Sequence, residues 1–247
     1  MILKNKNAVV TGVSRGIGKS ILKVFAQNGA NIWACLRKQS KEFDKYKKQL
    51  EKQNSIKIIP IYFDLENSKQ IKIGFEEIKR SKSNIDILVN NAGEIFTALF
   101  QMTSFEQINR MLQINFVSQM LFTQYISRQM MKQRNGNIIN LSSSAALHAN
   151  QGRMAYASSK AALITATKVL ARELGPYNIR ANVVAPGLTD TEMMKNSTSN
   201  DALNKTLNSL CLKRVADPDE IAKSILFLSS DLSSYITGHV LRVDGGM

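Results

Sequence analysis

Tyr156 and Lys160 stand four residues apart in "YASSK", inside a stretch with helical apolar spacing, so phenol and ammonium share one face a single turn apart. A free tyrosine titrates near ~10 and is a weak proton donor at neutral pH. An ammonium beside it favours the phenolate and lowers that pKa. Such a pair can protonate an oxygen on which negative charge develops, as on a carbonyl being reduced. Taken alone, the same residues also fit a packed tyrosine beside a solvated lysine.

A second stretch, "TGVSRGIG" (Thr11 to Gly18), joins an apolar run to a helical one. Gly12, Gly16 and Gly18 allow a tight turn and a close approach of backbone to a pyrophosphate, whose charge a helix N-terminus stabilises. The spacing is G-x-x-x-G-x-G and departs from the G-x-G-x-x-G fingerprint, so the pattern alone does not establish the ligand. Its place between the first strand and the first helix makes dinucleotide binding the expected reading. About 20 residues on, where Asp or Glu would hold a free ribose hydroxyl, the second strand ends in Leu36, Arg37 and Lys38, and Arg15 lies in the turn itself. Cations suit a 2′-phosphate, which predicts NADP(H) over NAD(H); the plainer reading of these residues is surface charge.

The elements that must position these groups alternate regularly. Strand-like runs "NAVVTG", "ANIWACL", "IKIIPIYFDL", "IDILVNNAG", "GNIINLSS", "IRANVVAPG" and "GHVLRVDGG" are separated by helical ones. One long helix is predicted over "SFEQINRMLQINFVSQMLFTQYISRQMMKQ", another carries Tyr156 and Lys160, and "DPDEIAKSILFLSS" opens with an acidic first turn. Strand-helix alternation with buried-type strands predicts an α/β fold: a doubly wound, mostly parallel seven-stranded Rossmann sheet, helices on both faces, in a single domain over 1–247. Ligands are then expected at the carboxyl ends of the strands, where each motif falls.

The 247 residues are 44% hydrophobic and 21% charged, enough for a large core. No apolar segment suggests a signal peptide or a spanning helix, so a cytoplasmic protein without a membrane partner is expected. Cys35 and Cys211 form no C-x-x-C pattern and His148 and His239 complete no ligand spacing, so free thiols and no metal are expected. The net charge of +14 is concentrated early, with 13 Lys or Arg against 3 Asp or Glu in residues 1–60. A basic face can draw acidic partners, but no nucleic-acid module accompanies it, and a solvated face is the reading preferred over nucleic-acid binding.

"TGVSRGIG", "NNAG" (Asn90 to Gly93), "SSS" (Ser142 to Ser144) and "YASSK" stand in that order, and together they resemble the short-chain dehydrogenase/reductase family along the whole chain. The resemblance implies a catalytic set of Asn115, Ser143, Tyr156 and Lys160. Ser143 lies 13 residues before the tyrosine, and Ser142 and Ser144 are neighbours that a shifted alignment would choose. It implies cofactor contacts from Gly12, Ser14, Arg15, Gly16, Ile17 and Gly18, and from Arg37. Asp64 and Leu65 would face the adenine, and Asn91, Ala92 and Gly93 would line the site with Tyr156 and Lys160. Pro186, Gly187, Thr189 and Thr191 would lie over the nicotinamide. In these roles Lys160 also binds the nicotinamide ribose, Ser143 donates to the developing oxyanion, and Asn115 holds a water that refills the relay. A dinucleotide-sensing regulator on the same fold would not need that relay, which argues against such a role.

Within the family the chain is most similar to the 3-oxoacyl-(acyl-carrier-protein) reductases of fatty-acid synthesis, which implies a carrier-linked substrate. Arg134 matches one of two carrier-docking arginines, whereas the other position holds Tyr177. Glu94 after "NNAG", and Arg153 where the subfamily has glutamine, open a second possibility: a different polar carbonyl such as a keto-sugar or small ketone, with both residues, and His148, near the substrate. Their plainer reading is surface exposure. The polar, aperiodic segment around 188–213 fits a mobile lid over the substrate. A homotetramer or dimer is implied, with Met120, Phe122, Leu163 and Val169 as apolar residues that fit either an interface or the core.

Overall fold

The computed structural model describes residues 1–247. In chain order the elements are β1 (Asn7–Thr11), α1 (Gly16–Gln27), β2 (Asn31–Leu36), α2 (Lys41–Asn54), β3 (Ile58–Tyr62), α3 (Ser68–Arg80) and β4 (Ile87–Asn90). There follow α4 (Phe105–Leu112), α5 (Ser118–Gln133), β5 (Gly136–Leu141), α6 (Ala145–His148), α7 (Met154–Leu174), β6 (Ile179–Pro186), α8 (Glu192–Ser197), α9 (Asn200–Ser209), α10 (Pro218–Ser229) and β7 (Val240–Val243). The strands form one sheet in the order β3-β2-β1-β4-β5-β6-β7, and every pair is parallel rather than mostly so.

Both faces of the sheet are covered, and the two-residue period of each strand sorts side chains between them. In register, Val9 of β1 lies beside Trp33 of β2 and Leu88 of β4. These three join Phe75 of α3, Phe122 of α5 and Ala171 of α7 in one buried cluster. Their strand neighbours Ala8, Val10, Ile32 and Ala34 point the other way, against Phe25 of α1 and Ile225 of α10. Phe122 and Leu163 are fully buried within this chain, so they are core residues, whereas Val169 is exposed. The strand order reverses between β1 and β4, and the β1–α1 turn sits at that switch point, where parallel sheets open a ligand crevice.

The expected long helix is present as one helical run from Phe105 to Gln133, α4 and α5 being continuous through a π-helical turn, Gln113–Val117, at which Asn115 bonds the backbone of Glu94. The aperiodic lid segment holds two short helices, capped by the hydroxyls of Thr191 and Ser199. The acidic start of α10 is as expected: Asp217 and Glu220 form a capping box around Pro218. No helix is long and apolar enough to cross a membrane.

Candidate active site

A cleft of about 990 Å³ opens along the carboxyl ends of the strands. Of the site residues inferred above, all border it except Asn115, which lies buried behind Gly93. A Cβ on Gly93 would stand 2.9 Å from Asn115 Oδ1 and 3.2 Å from Lys160 Nζ, so glycine is needed there, and both groups converge on one point.

The β1–α1 turn has the form an anion requires. Gly12 and Gly16 have φ of +72° and +54°, and a Cβ on Gly18 would meet the Gly12 carbonyl at 2.0 Å. The first turn of α1 carries no side-chain cap and no acid, so no side chain takes up its free N–H donors. These features fit a pyrophosphate. Asn91 lines the cleft, and its Nδ2 donates to the carbonyls of Thr11 and Gly12 at 2.9 and 3.0 Å, tying β4 to the turn. Arg37, at the end of β2, has no carboxylate partner, whereas Arg15 Nη1 meets Glu192 Oε2 of α8 at 2.6 Å.

Among the three serines after β5, geometry separates the roles. Ser142 Oγ donates to the Lys160 carbonyl at 2.8 Å and so anchors α7. Ser143 and Tyr156 both line the cleft, and the Ser143 hydroxyl, which accepts from Ala145 N at 3.2 Å, favours the ionised phenol. No side-chain bond places Ser144 beside the tyrosine, and its backbone N–H goes to Pro186. Asn115 is held at both ends of its amide. Its Oδ1 accepts from Glu94 N at 2.9 Å, while Nδ2 donates to Glu94 O at 2.9 Å and Ser159 Oγ at 3.0 Å.

Burial pushes the Tyr156 phenol up, and the Ser143 hydroxyl and the positive charge of Arg153 oppose it. Lys160, one helical turn on, is itself buried. Its Nζ donates to the Leu141 carbonyl at 2.8 Å, and burial lowers its pKa to about 8.

Three other residues singled out in the sequence are placed as follows. Glu94 lines the cleft, and Arg110 of α4 grips its carboxylate through Nε and Nη2 at 3.0 and 2.9 Å and also bonds Glu66. His148 lies 3.3 Å from Arg242 and 3.9 Å from Asp244, outside the cleft. Arg134 lies 6.0 Å from the ring of Tyr177 and donates to the Pro176 carbonyl. Sequence reasoning also missed Ser159, Arg110 and the buried pair Asn90–Asn140, whose amides bond at 2.7 Å across β4 and β5. The asparagine at the end of each of these strands was the available signal.

A family model described as "Enoyl-(Acyl carrier protein) reductase" matches residues 12–247. A 3-oxoacyl-(acyl-carrier-protein) reductase of Chlamydia trachomatis is 40% identical over all of this chain and 98% of its own. A 3alpha-hydroxysteroid dehydrogenase of Mediterraneibacter gnavus is 36% identical over 99% and 98%. The crystal structure of a short-chain type dehydrogenase/reductase from Mycobacterium marinum superposes with a TM-score of 0.91 at 31% identity, covering 99% of this chain and 96% of that one. With a matched family model over most of its length and full-length relatives of this similarity, the chain belongs to the short-chain dehydrogenase/reductase family and is an oxidoreductase of CH–OH/C=O groups.

Proposed function

We propose that the protein reduces a 3-oxoacyl thioester to the 3-hydroxyacyl form with NADP(H). One observation carries this reading: the hydroxyl residues Ser143 and Tyr156 stand at the wall of the same cleft that holds the phosphate turn. Two hydroxyls on one wall suit a carbonyl oxygen, which collects charge as it is reduced. They do not suit a carbon-carbon double bond, so the relatives named as 3-oxoacyl reductases are the better guide than the enoyl description of the family model.

Tyr156 donates the proton to that oxygen, and Ser143 stabilises the developing charge. Lys160, with its pKa near 8, keeps a proton close to neutrality and is fixed by Leu141. Asn115, locked by Glu94 and Ser159, keeps the wall behind Gly93 rigid and leaves the Asn115 oxygen a second lone pair for a relay water. The phosphate turn, Asp64 and Arg37 are the residues that would hold the dinucleotide, which when bound supplies the hydride. Arg37, without a carboxylate partner, supports NADP(H) over NAD(H). A homo-oligomer is part of this reading, supported by the exposed apolar residues Phe105, Val117 and Val169 on neighbouring helices.

The test is cofactor oxidation with acetoacetyl and crotonyl thioesters. Acetoacetyl thioester is expected to be reduced, crotonyl thioester not, and NADPH to be preferred over NADH by at least about tenfold, with Arg37→Asp abolishing the preference. Reduction of crotonyl thioester alone, or of neither, overturns the thioester assignment.

A further inference from the structure

Besides Lys160, the cleft wall near Tyr156 holds an arginine with no counter-ion. Arg153 sits at the N-cap of α7, three residues before Tyr156, half-buried at the cleft wall. Its Nη1 donates to Thr97 Oγ1 at 2.5 Å, and its Nη2 to the Ser197 carbonyl at 2.8 Å and Thr198 Oγ1 at 3.4 Å. Those bonds use three of the five N–H groups of a guanidinium, leaving Nε and one Nη1 proton. All three acceptors are neutral.

Of the two other arginines lining the cleft, Arg37 at the end of β2 also lacks a carboxylate partner but is assigned to the cofactor. Arg15 is paired with Glu192, Arg110 with Glu94 and Glu66, and Arg242 with Asp244. Of the acids around the cleft, Glu94 and Glu192 are therefore engaged elsewhere, and no carboxylate comes within ion-pair distance of Arg153. Burial lowers its pKa, and Tyr156 is the only ionisable group acting on it. Neutral hydrogen bonds repay part of the cost of withdrawing a guanidinium from water, as for Arg180 on three backbone carbonyls, and an opposite charge repays more. A neutral amide would tie Thr97 to the end of α8 as well.

We propose that Arg153 seats a substrate carboxylate, so that the protein also reduces oxo acids bearing a free carboxylate a few bonds from the carbonyl. The free Nε–H and Nη1–H point to different sides of the guanidinium and donate singly, so a carboxylate is held by one such bond and the charge. Arg153 and Tyr156 line the same cleft three residues apart, so the two ends of a short oxo acid can be held at once. In the reaction the carbonyl carbon gains a hydride from a reduced nicotinamide dinucleotide and its oxygen gains the Tyr156 proton. The carboxylate is unchanged, and the product is the hydroxy acid with the oxidised dinucleotide. Only the assignment of Ser143 and Tyr156 to the carbonyl oxygen is shared with the thioester reading.

The experiment compares acetoacetate and 4-oxopentanoate with their ethyl esters, and an acetoacetyl thioester, in the wild-type protein, Arg153→Gln and Arg153→Lys. The wild type is expected to reduce at least one acid with a lower KM than its ester. In Arg153→Gln the acid-to-ester ratio of kcat/KM falls about 100-fold, mainly through KM, and Arg153→Lys recovers part of it by keeping the charge. A ratio in Arg153→Gln within threefold of wild type overturns the proposal, since a purely structural tie to α8 affects acid and ester alike. So does failure of the wild type on both acids; if the thioester is still reduced, the thioester reading stands alone. Acid turnover with a silent thioester supports the seat and removes the thioester reading.

Discussion

Along the strand-end side of the cleft, polar side chains are fastened to backbone: Asn91 to the first turn, Ser142 and Lys160 across β5 and α7, Asn115 to Glu94. Across from it, the 192–209 segment meets the rest of the chain through exposed groups, with Glu192 on Arg15, and through two bonds of Arg153, to Ser197 and Thr198. Buried backbone-anchored bonds have few alternatives and hold their geometry, whereas an exposed ion pair contributes little and yields readily. The first side therefore suits chemistry that tolerates no misplacement, and the second suits admission and release of a substrate.

That contrast makes graded predictions. After loss of the tyrosine itself, the largest effect is expected at Lys160. Lys160→Met should lower kcat by about 10²–10³-fold, the range for one lost charged donor. The same variant should be more stable near neutrality. Burial lowers the lysine pKa from 10.5 to about 8, so the folded state holds its proton less tightly than the unfolded chain does. The resulting penalty is present in full below pH 8 and fades as pH rises to about 10.5. Thermal melts should show a gain of about 1–2 kcal/mol at pH 7, after loss of the bond to Leu141, that disappears by pH 10.5.

Next comes Gly93→Ala, whose methyl would press on Asn115 Oδ1 and Lys160 Nζ. Steady-state kinetics should show kcat down about tenfold with a smaller change in KM, because the displacement falls on the rigid side. The smallest effect is expected across the cleft. Glu192→Gln breaks an ion pair whose side chains are each 65% exposed and frees Arg15. Stability should stay within about 0.5 kcal/mol, and the cofactor KM should fall by less than about threefold. A larger loss of stability there than at Gly93 would reverse the comparison.

Much of the rigid side was legible in the sequence because its constraints are local. Strand alternation, a glycine turn at the first strand end, and a phenol and ammonium one turn apart each follow from short-range periodicity, and all fall on one sheet edge. What escaped was set by partners distant in sequence. The π-helical turn at Asn115 follows from bonds to Glu94, and the orientation of Glu94 in turn from Arg110, 16 residues away. Apolar spacing through "NRMLQINFVSQ" carries no trace of either. Lys160 Nζ donates to the Leu141 carbonyl, 19 residues away, and Ser143 and Arg153 act on the Tyr156 phenol, contacts that the spacing of Tyr156 and Lys160 does not reveal. The short helices at 192–209 bury no residue fully, so no apolar stripe announced them; only their hydroxyl caps did.

The central claim is that the Tyr156 hydroxyl supplies the proton to a carbonyl held in this cleft. Its most direct test is single-turnover reduction of an acetoacetyl thioester by Tyr156→Phe, with cofactor affinity measured in parallel by fluorescence. The account predicts a rate lower by at least about 10³-fold with cofactor affinity within threefold of wild type, since only the hydroxyl is lost. A variant that turns over within tenfold of wild type would contradict it.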